Sequence, residues 1–329
     1  MPGPLVCSDT VELFFQPLHN NSPVQWLWYP YIPLGKLTVI QGDPGEGKTT
    51  FVLAMIAALT KGEALPEREP LDPVNILYQT AEDGLADTIR PRLDALGADC
   101  SRVLVIDESK RELSLSDERI RQAMEETGAK LLVLDPLQAY LGAEVDMHRA
   151  NEVRPILKRL GSVAEQMGCA VILIRHLNKM QGQKSGHRGM GSVDFQAAAR
   201  SVLLVGRTKE DPQLRIVVPD KSSLAPEGES IAFALDPEQG FQWKGYCAYN
   251  AEELLGGSTK QVQTKTMQAE ETLRNLLDKP APAEEILRRI TAAGISERTL
   301  MTAKKNLGVL STKRAAPLQP SEEAPRVPL

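Results

Sequence analysis

Cysteine is scarce and scattered. The 329-residue chain has four, Cys7, Cys100, Cys169 and Cys247, with none of the close spacing that a zinc or cluster site needs. They read as reduced structural residues of a cytoplasmic protein. No apolar run approaches the roughly 18 residues of a membrane span. The N-terminus has no basic stretch followed by an apolar one, the mark of a secretory leader. The expectation is a soluble, cytoplasmic chain with no membrane partner. An excess of positive charge is lacking as well. The net charge is −5, which excludes a nucleic-acid binder that is basic throughout. Apolar residues at 42% and charged ones at 25% still suffice for a large core.

What the chain does have is Gly42-Asp43-Pro44-Gly45-Glu46-Gly47-Lys48-Thr49, a G-x-x-x-x-G-K-T loop, followed by Thr50. The apolar, β-branched run 37–40 before it reads as a buried strand, and the Ala/Leu-rich run 51–59 after it as a buried helix. Strand, glycine-rich loop and helix are the context in which backbone amides cradle phosphate oxygens. Lys48 should reach the β- and γ-phosphates, and the Thr49 hydroxyl should sit on Mg²⁺. The reading is ATP or GTP binding.

Further apolar runs at 74–78, 103–107, 131–135 and 170–174 alternate with amphipathic stretches, the pattern of an α/β domain with a mainly parallel sheet. Ligands of such sheets bind at the carboxyl ends of the strands. The residues expected there include Glu82 and Asp83, Asp135 after Leu131-Leu132-Val133-Leu134, and Arg175-His176. Asp135 fits a carboxylate holding Mg²⁺ through water. The polar loop 142–150 and the glycine-rich, basic loop 177–192 follow two of these strands, and the second suits a phosphate backbone, with a plain solvated loop as the alternative. The aromatic group around Trp26-Leu27-Trp28 reads as a seal over a sheet edge, with base or subunit stacking as the alternative.

The chain divides into a lead-in at 1–23, a core at 24–248, a linker at 249–266, a small unit at 267–314 and a disordered tail at 315–329. The small unit should form three helices with a tight turn at Gly294-Ile295-Ser296, a helix-turn-helix or winged-helix spacing, with Val309-Leu310 opening a wing. From 260 to 314 there are 11 Lys or Arg against 6 Asp or Glu. Arg298, Lys304, Lys305 and Lys313 are the cations expected to meet duplex DNA. The competing reading is a polar assembly tail.

These elements together resemble the RecA-like ATPase core. The Trp26-Leu27-Trp28 entry, Thr88-Ile89-Arg90-Pro91-Arg92-Leu93 and the 221–226 segment are similar to plasmid RepA-type replicative helicases and the related AAA ATPases of phage and mobile elements. The resemblance covers about residues 24–245. It implies an ATP- and Mg²⁺-dependent ATPase that forms a homo-hexameric ring on single-stranded DNA, a helicase or helicase loader. It implies that Glu82 polarises the attacking water, with Asp83 the weaker candidate, that Asp135 holds the metal, and that His176 senses the γ-phosphate. It makes Arg207 a finger reaching a neighbouring subunit's nucleotide, with Lys221 assisting from the same side, and loops 142–150 and 177–192 the single-strand contacts. Through 267–314 it allows duplex DNA or a replication protein as partner. A nucleotide-switched DNA-binding regulator and a recombination mediator are the competing functions.

Overall fold

The apolar runs become strands and the periodic stretches become helices. A short antiparallel ribbon, β1 (Trp26–Trp28) and β2 (Ile32–Pro33), precedes β3 (Leu37–Gly42), α1 (Lys48–Lys61) and β4 (Ile76–Thr80). A π-helical turn (Leu85–Ile89) leads into α2 (Arg90–Ala95). Next come β5 (Val103–Leu104), α3 (Glu118–Thr127), β6 (Leu131–Asp135), α4 (Ala150–Met167) and β7 (Ala170–His176). They are followed by α5 (Ser192–Ala198), β8 (Ser201–Arg207), β9 (Leu214–Ser222), β10 (Ser230–Asp236), β11 (Gly240–Cys247) and α6 (Ala251–Gly256). Three helices close the chain, α7 (Lys265–Leu276), α8 (Ala283–Ala292) and α9 (Glu297–Asn306). The computed structural model describes residues 23–142, 145–147, 149–177, 192–209, 211–256, 263–277 and 281–309.

The main sheet has nine strands in the order β11-β10-β9-β8-β3-β7-β6-β4-β5. From β8 to β5 the strands are parallel, and β9, β10 and β11 add an antiparallel edge. One apolar layer joins Phe51, Leu53 and Ile56 of α1 to Leu93 of α2, Trp28 and Phe233. The other joins Ile120 and Met124 of α3, Leu157 and Leu160 of α4 and Phe195 of α5 to the opposite sheet face. The fold is therefore the expected α/β one, a mostly parallel sheet between helices, with a helical C-terminal region. Leu27, Trp28 and Tyr31 of the aromatic entry lie inside the first layer, while Trp26 is half-buried and Tyr29 exposed. Trp28 is fully buried, its ring centre 5.1 Å from Tyr31 and 5.9 Å from Trp243, so the sealing role is the one observed.

Two stretches differ from expectation. The strand expected over 103–107 stops at Leu104. The Gln79 side chain accounts for this: its Oε1 accepts from the Ile106 amide at 2.6 Å and its Nε2 donates to the Ile106 carbonyl at 3.2 Å. A side-chain amide thus takes the place of a neighbouring strand. The second is the expected linker 249–266, which holds α6 and the first residues of α7. Asn250 and Glu253 start α6 reciprocally, the Glu253 amide donating to Asn250 Oδ1 and the Asn250 amide to Glu253 Oε2, at 2.8 and 2.9 Å. Leu254 then packs against Gly206. The expected lead-in up to residue 22, the loop 177–192 beyond Leu177 except Ser192, the wing residue Leu310 and the tail lie outside the described residues.

Candidate functional site: a phosphate loop at the carboxyl edge of the sheet

Gly42 ends β3 directly beneath β8. A Cβ there would lie 2.1 Å from the Val205 carbonyl oxygen, so no larger residue fits. Gly45 and Gly47 have φ of 78° and 90°, which glycine alone adopts without strain. Pro44 and Gly45 form the exposed crown of the loop, while Asp43, Glu46 and Thr50 are half-buried. Gly47 is also the N-cap of α1. No side chain caps this helix and its first turn holds no acid, so its leading amides are left for an anion.

Lys48 is only 4% exposed. Its Nζ turns back to donate to the carbonyls of Gly42 at 3.0 Å and Asp43 at 2.9 Å. Burial lowers its pKa, and the carboxylates of Asp135, Glu46, Asp43 and Glu82 oppose that shift. The Thr49 hydroxyl donates to Asp135 Oδ2 at 2.7 Å, and the Tyr78 hydroxyl to the same oxygen at 3.3 Å. Burial raises the Asp135 pKa, against those two hydrogen bonds. A hydroxyl and a carboxylate side by side, next to a cation facing a glycine loop, fit a magnesium triphosphate.

The neighbouring strand ends complete the edge. The Ala81 amide donates to the Asp135 carbonyl at 3.0 Å, which ties the segment after β4 to the end of β6. Glu82 is exposed and its Oε2 lies 3.5 Å from His176 Nε2. Asp83 is instead engaged by Arg92 at 3.1 Å. The structure thus brings Glu82, Asp135, His176, Lys48 and Thr49 together.

The structure separates Arg207 from Lys221, which were expected on one side. Arg207 lies on the loop of its own chain. Its amide donates to Glu46 Oε2 at 2.6 Å, its Nη2 to the Gly45 carbonyl at 3.2 Å, and its Nε is 3.3 Å from Glu46 Oε1. The reason is register: β8 pairs in parallel with β3, Gln41 opposite Leu204, so both strands emerge side by side. Lys221 does not share that end. It pairs with Val202 at the start of β8, whereas Arg207 pairs with Arg215. The Lys221 Nζ donates to the carbonyls of Gln196 and Ala199 at 2.6 and 2.8 Å, closing the end of α5.

Sequence reasoning missed Tyr78 and Arg215. Tyr78 sits inside a plain apolar strand. Arg215 reaches the loop only through the β8–β9 register, its Nε within 3.2 Å of where a Cβ on Gly47 would be. Of the cations expected to meet duplex DNA, Lys305 is exposed, Lys304 half-buried, and Arg298 turns to the Arg68 carbonyl of the core. Lys313 lies outside the described residues.

A family model described as an AAA domain matches residues 9–182. The DNA repair protein RadA of Halalkalibacterium halodurans is 28% identical over 154 residues, 46% of this chain and 30% of that protein. RadA of Escherichia coli (strain K12) is 27% identical over 210 residues, 63% of this chain and 40% of its own length. The chain thus spans well under half the length of these relatives. Among solved structures, a KaiC-like protein from Pyrococcus horikoshii aligns at 18% identity over 67% of this chain and 99% of its own, with a TM-score of 0.49.

Proposed function

We propose that this chain, which belongs to the AAA domain family, hydrolyses ATP and uses the energy to act on DNA. The observation that carries the reading is the Thr49–Asp135 pair at 2.7 Å beside a buried Lys48, with Glu82 facing both. Magnesium ATP, when bound, supplies the transferable phosphoryl group and the charge that screens it. Thr49 and Asp135 would hold the metal, Asp135 through water. Lys48 exchanges its two loop carbonyls for phosphate oxygens. Glu82, at an open strand end, orients the attacking water and accepts its proton. His176, 3.5 Å away, links Glu82 to the loop that follows β7.

DNA enters the proposal by three routes. The RadA relatives are named for DNA repair. Loops 142–150 and 177–192 follow β6 and β7, the strands that end in Asp135 and His176, where a single strand could feel the state of the nucleotide. The unit at 267–314 is proposed to contact duplex DNA, supported by its basic excess and its three helices with a Gly294 turn. A RepA-type helicase is the finer form of this proposal.

The test is ATP turnover with and without single-stranded DNA, paired with strand displacement on a forked duplex. Turnover stimulated by the single strand is the expected result, and displacement identifies a helicase. ATPase activity that ignores DNA at low salt overturns the DNA reading. Arg207 is proposed to act on its own chain's nucleotide. Mixing Lys48→Ala with Arg207→Ala subunits should then yield no more than the sum of the two, and recovery of activity restores a role across subunits.

A further inference from the structure

The loop between α1 and β4 grips the start of the last helix. Glu67 lies in a Pro- and Glu-rich stretch that reads as plain solvent-facing loop. Its carboxylate nevertheless accepts from Ser296 Oγ at 2.7 Å and from the Thr299 hydroxyl. Ser296 is the N-cap of α9, and Thr299 sits one turn in. Arg298 donates to the carbonyl of Arg68 and has Glu69 at 3.9 Å. Among the described residues, Glu67 is the one non-glycine residue with positive φ, 51°. Such a conformation persists where the surroundings hold it. The segment is braced from beneath: Arg68 donates to the Trp26 carbonyl at 3.1 Å, and the Trp28 indole to the Pro66 carbonyl at 3.3 Å. A second contact, Lys265 with Glu229 at 2.6 Å, fixes the start of α7.

In a helix-turn-helix, the first residues of the second helix are those that meet the bases, and arginine or lysine beside them meets phosphate. Here those residues are Ser296, Arg298 and Thr299, and the core occupies all three. A carboxylate stands where a phosphate would stand, at the positive end of α9.

We propose that the 66–69 loop is an autoinhibitory latch: Glu67 and the Arg68 carbonyl cover the duplex-contacting end of α9, so docking on the core and binding of duplex DNA exclude one another. This rests on the reading that the C-terminal unit binds duplex, and it adds how that binding is controlled.

The test uses the full chain and Glu67→Asn, which removes the charge and tolerates positive φ. Glu67 is remote from the phosphate loop, so single-strand-stimulated ATPase should be unchanged, which also reports folding. Binding of a labelled mixed-sequence duplex should tighten roughly tenfold, the scale of one hydrogen bond to a charged group. The log–log salt slope should steepen by about 0.9, one added phosphate contact. Adding Arg298→Ala should remove the gain. Amides 297–300 should exchange faster in Glu67→Asn than in the parent. Equal duplex binding by parent and variant overturns the latch and leaves the duplex reading standing. Faster exchange with no duplex binding by either protein overturns the duplex reading, and the latch with it. Unchanged exchange shows that Glu67 does not hold the unit, and the latch fails on that ground alone.

Discussion

Helices α1 and α9 begin in opposite ways. The first starts from Gly47, with no side-chain cap and no acid in its opening turn. The last starts from Ser296, whose hydroxyl accepts from the Thr299 amide, with Glu297 in its first turn and Glu67 brought in from the core. Both ends are electropositive by construction. What separates them is whether the anion is supplied by the protein or left to a ligand. An uncapped helix start beneath a glycine loop suits an anionic ligand, and a saturated one is held by the protein's own groups. The same inspection applies to α3, which carries its own carboxylate cap in Asp117.

Breaking the empty end should have the largest effect. Lys48→Ala is expected to weaken nucleotide binding roughly 100-fold, the loss of charged hydrogen bonds to phosphate, and to abolish turnover. Titration with a fluorescent nucleotide measures the first and phosphate release the second. Unchanged affinity removes Lys48 from the site. Glu82→Gln sharpens the contrast, because it alters the water rather than the cradle. Turnover should fall about 10²–10⁴-fold, the range for a general base, with affinity within about twofold. A parallel loss of affinity places Glu82 on the phosphates instead.

The saturated ends predict smaller changes. Ser296→Ala should destabilise α9 by about 1 kcal/mol, as for other lost N-caps. It is read from hydrogen exchange of residues 297–303, with the ATPase unaffected. Asp117 offers a pH handle. Hydrogen bonds from Arg119 hold its carboxyl down at about 2, below the ordinary carboxylate near 3.9. Its contribution is therefore complete above about pH 4 and lost as pH falls towards 2. Denaturant unfolding at pH 5 and pH 2.5 should show less acid sensitivity in Asp117→Asn than in the parent. Equal sensitivity assigns the acid response to other carboxylates.

Local chemistry was legible in the sequence, and register was not. The phosphate loop and the acid closing the Leu131–Asp135 run each depend on residues within a few positions of one another. They could be read from spacing. Arg207 could not, because its neighbourhood follows from β8 lying against β3, a pairing between segments far apart in the chain. The same holds for the Val205 carbonyl over Gly42, for Gln79 displacing a strand, and for Glu67 meeting a serine 229 positions away. The Asn250–Glu253 box was in reach, a capping signature passed over within polar surroundings.

The position of β3 also governs when the site can exist during synthesis. The loop leaves the ribosome before its neighbours, and among the described residues β3 hydrogen-bonds in the sheet only to β7 and β8. The second of these follows roughly 160 residues later, on the order of ten to thirty seconds of elongation. Until β8 is made the strand keeps one open edge, and the Val205 carbonyl that closes over Gly42 does not exist. Nascent chains arrested before β8 should therefore fail to retain nucleotide although every residue of the loop is present. The loop is written early in the sequence and becomes usable only once β8, some 160 residues further on, has been made.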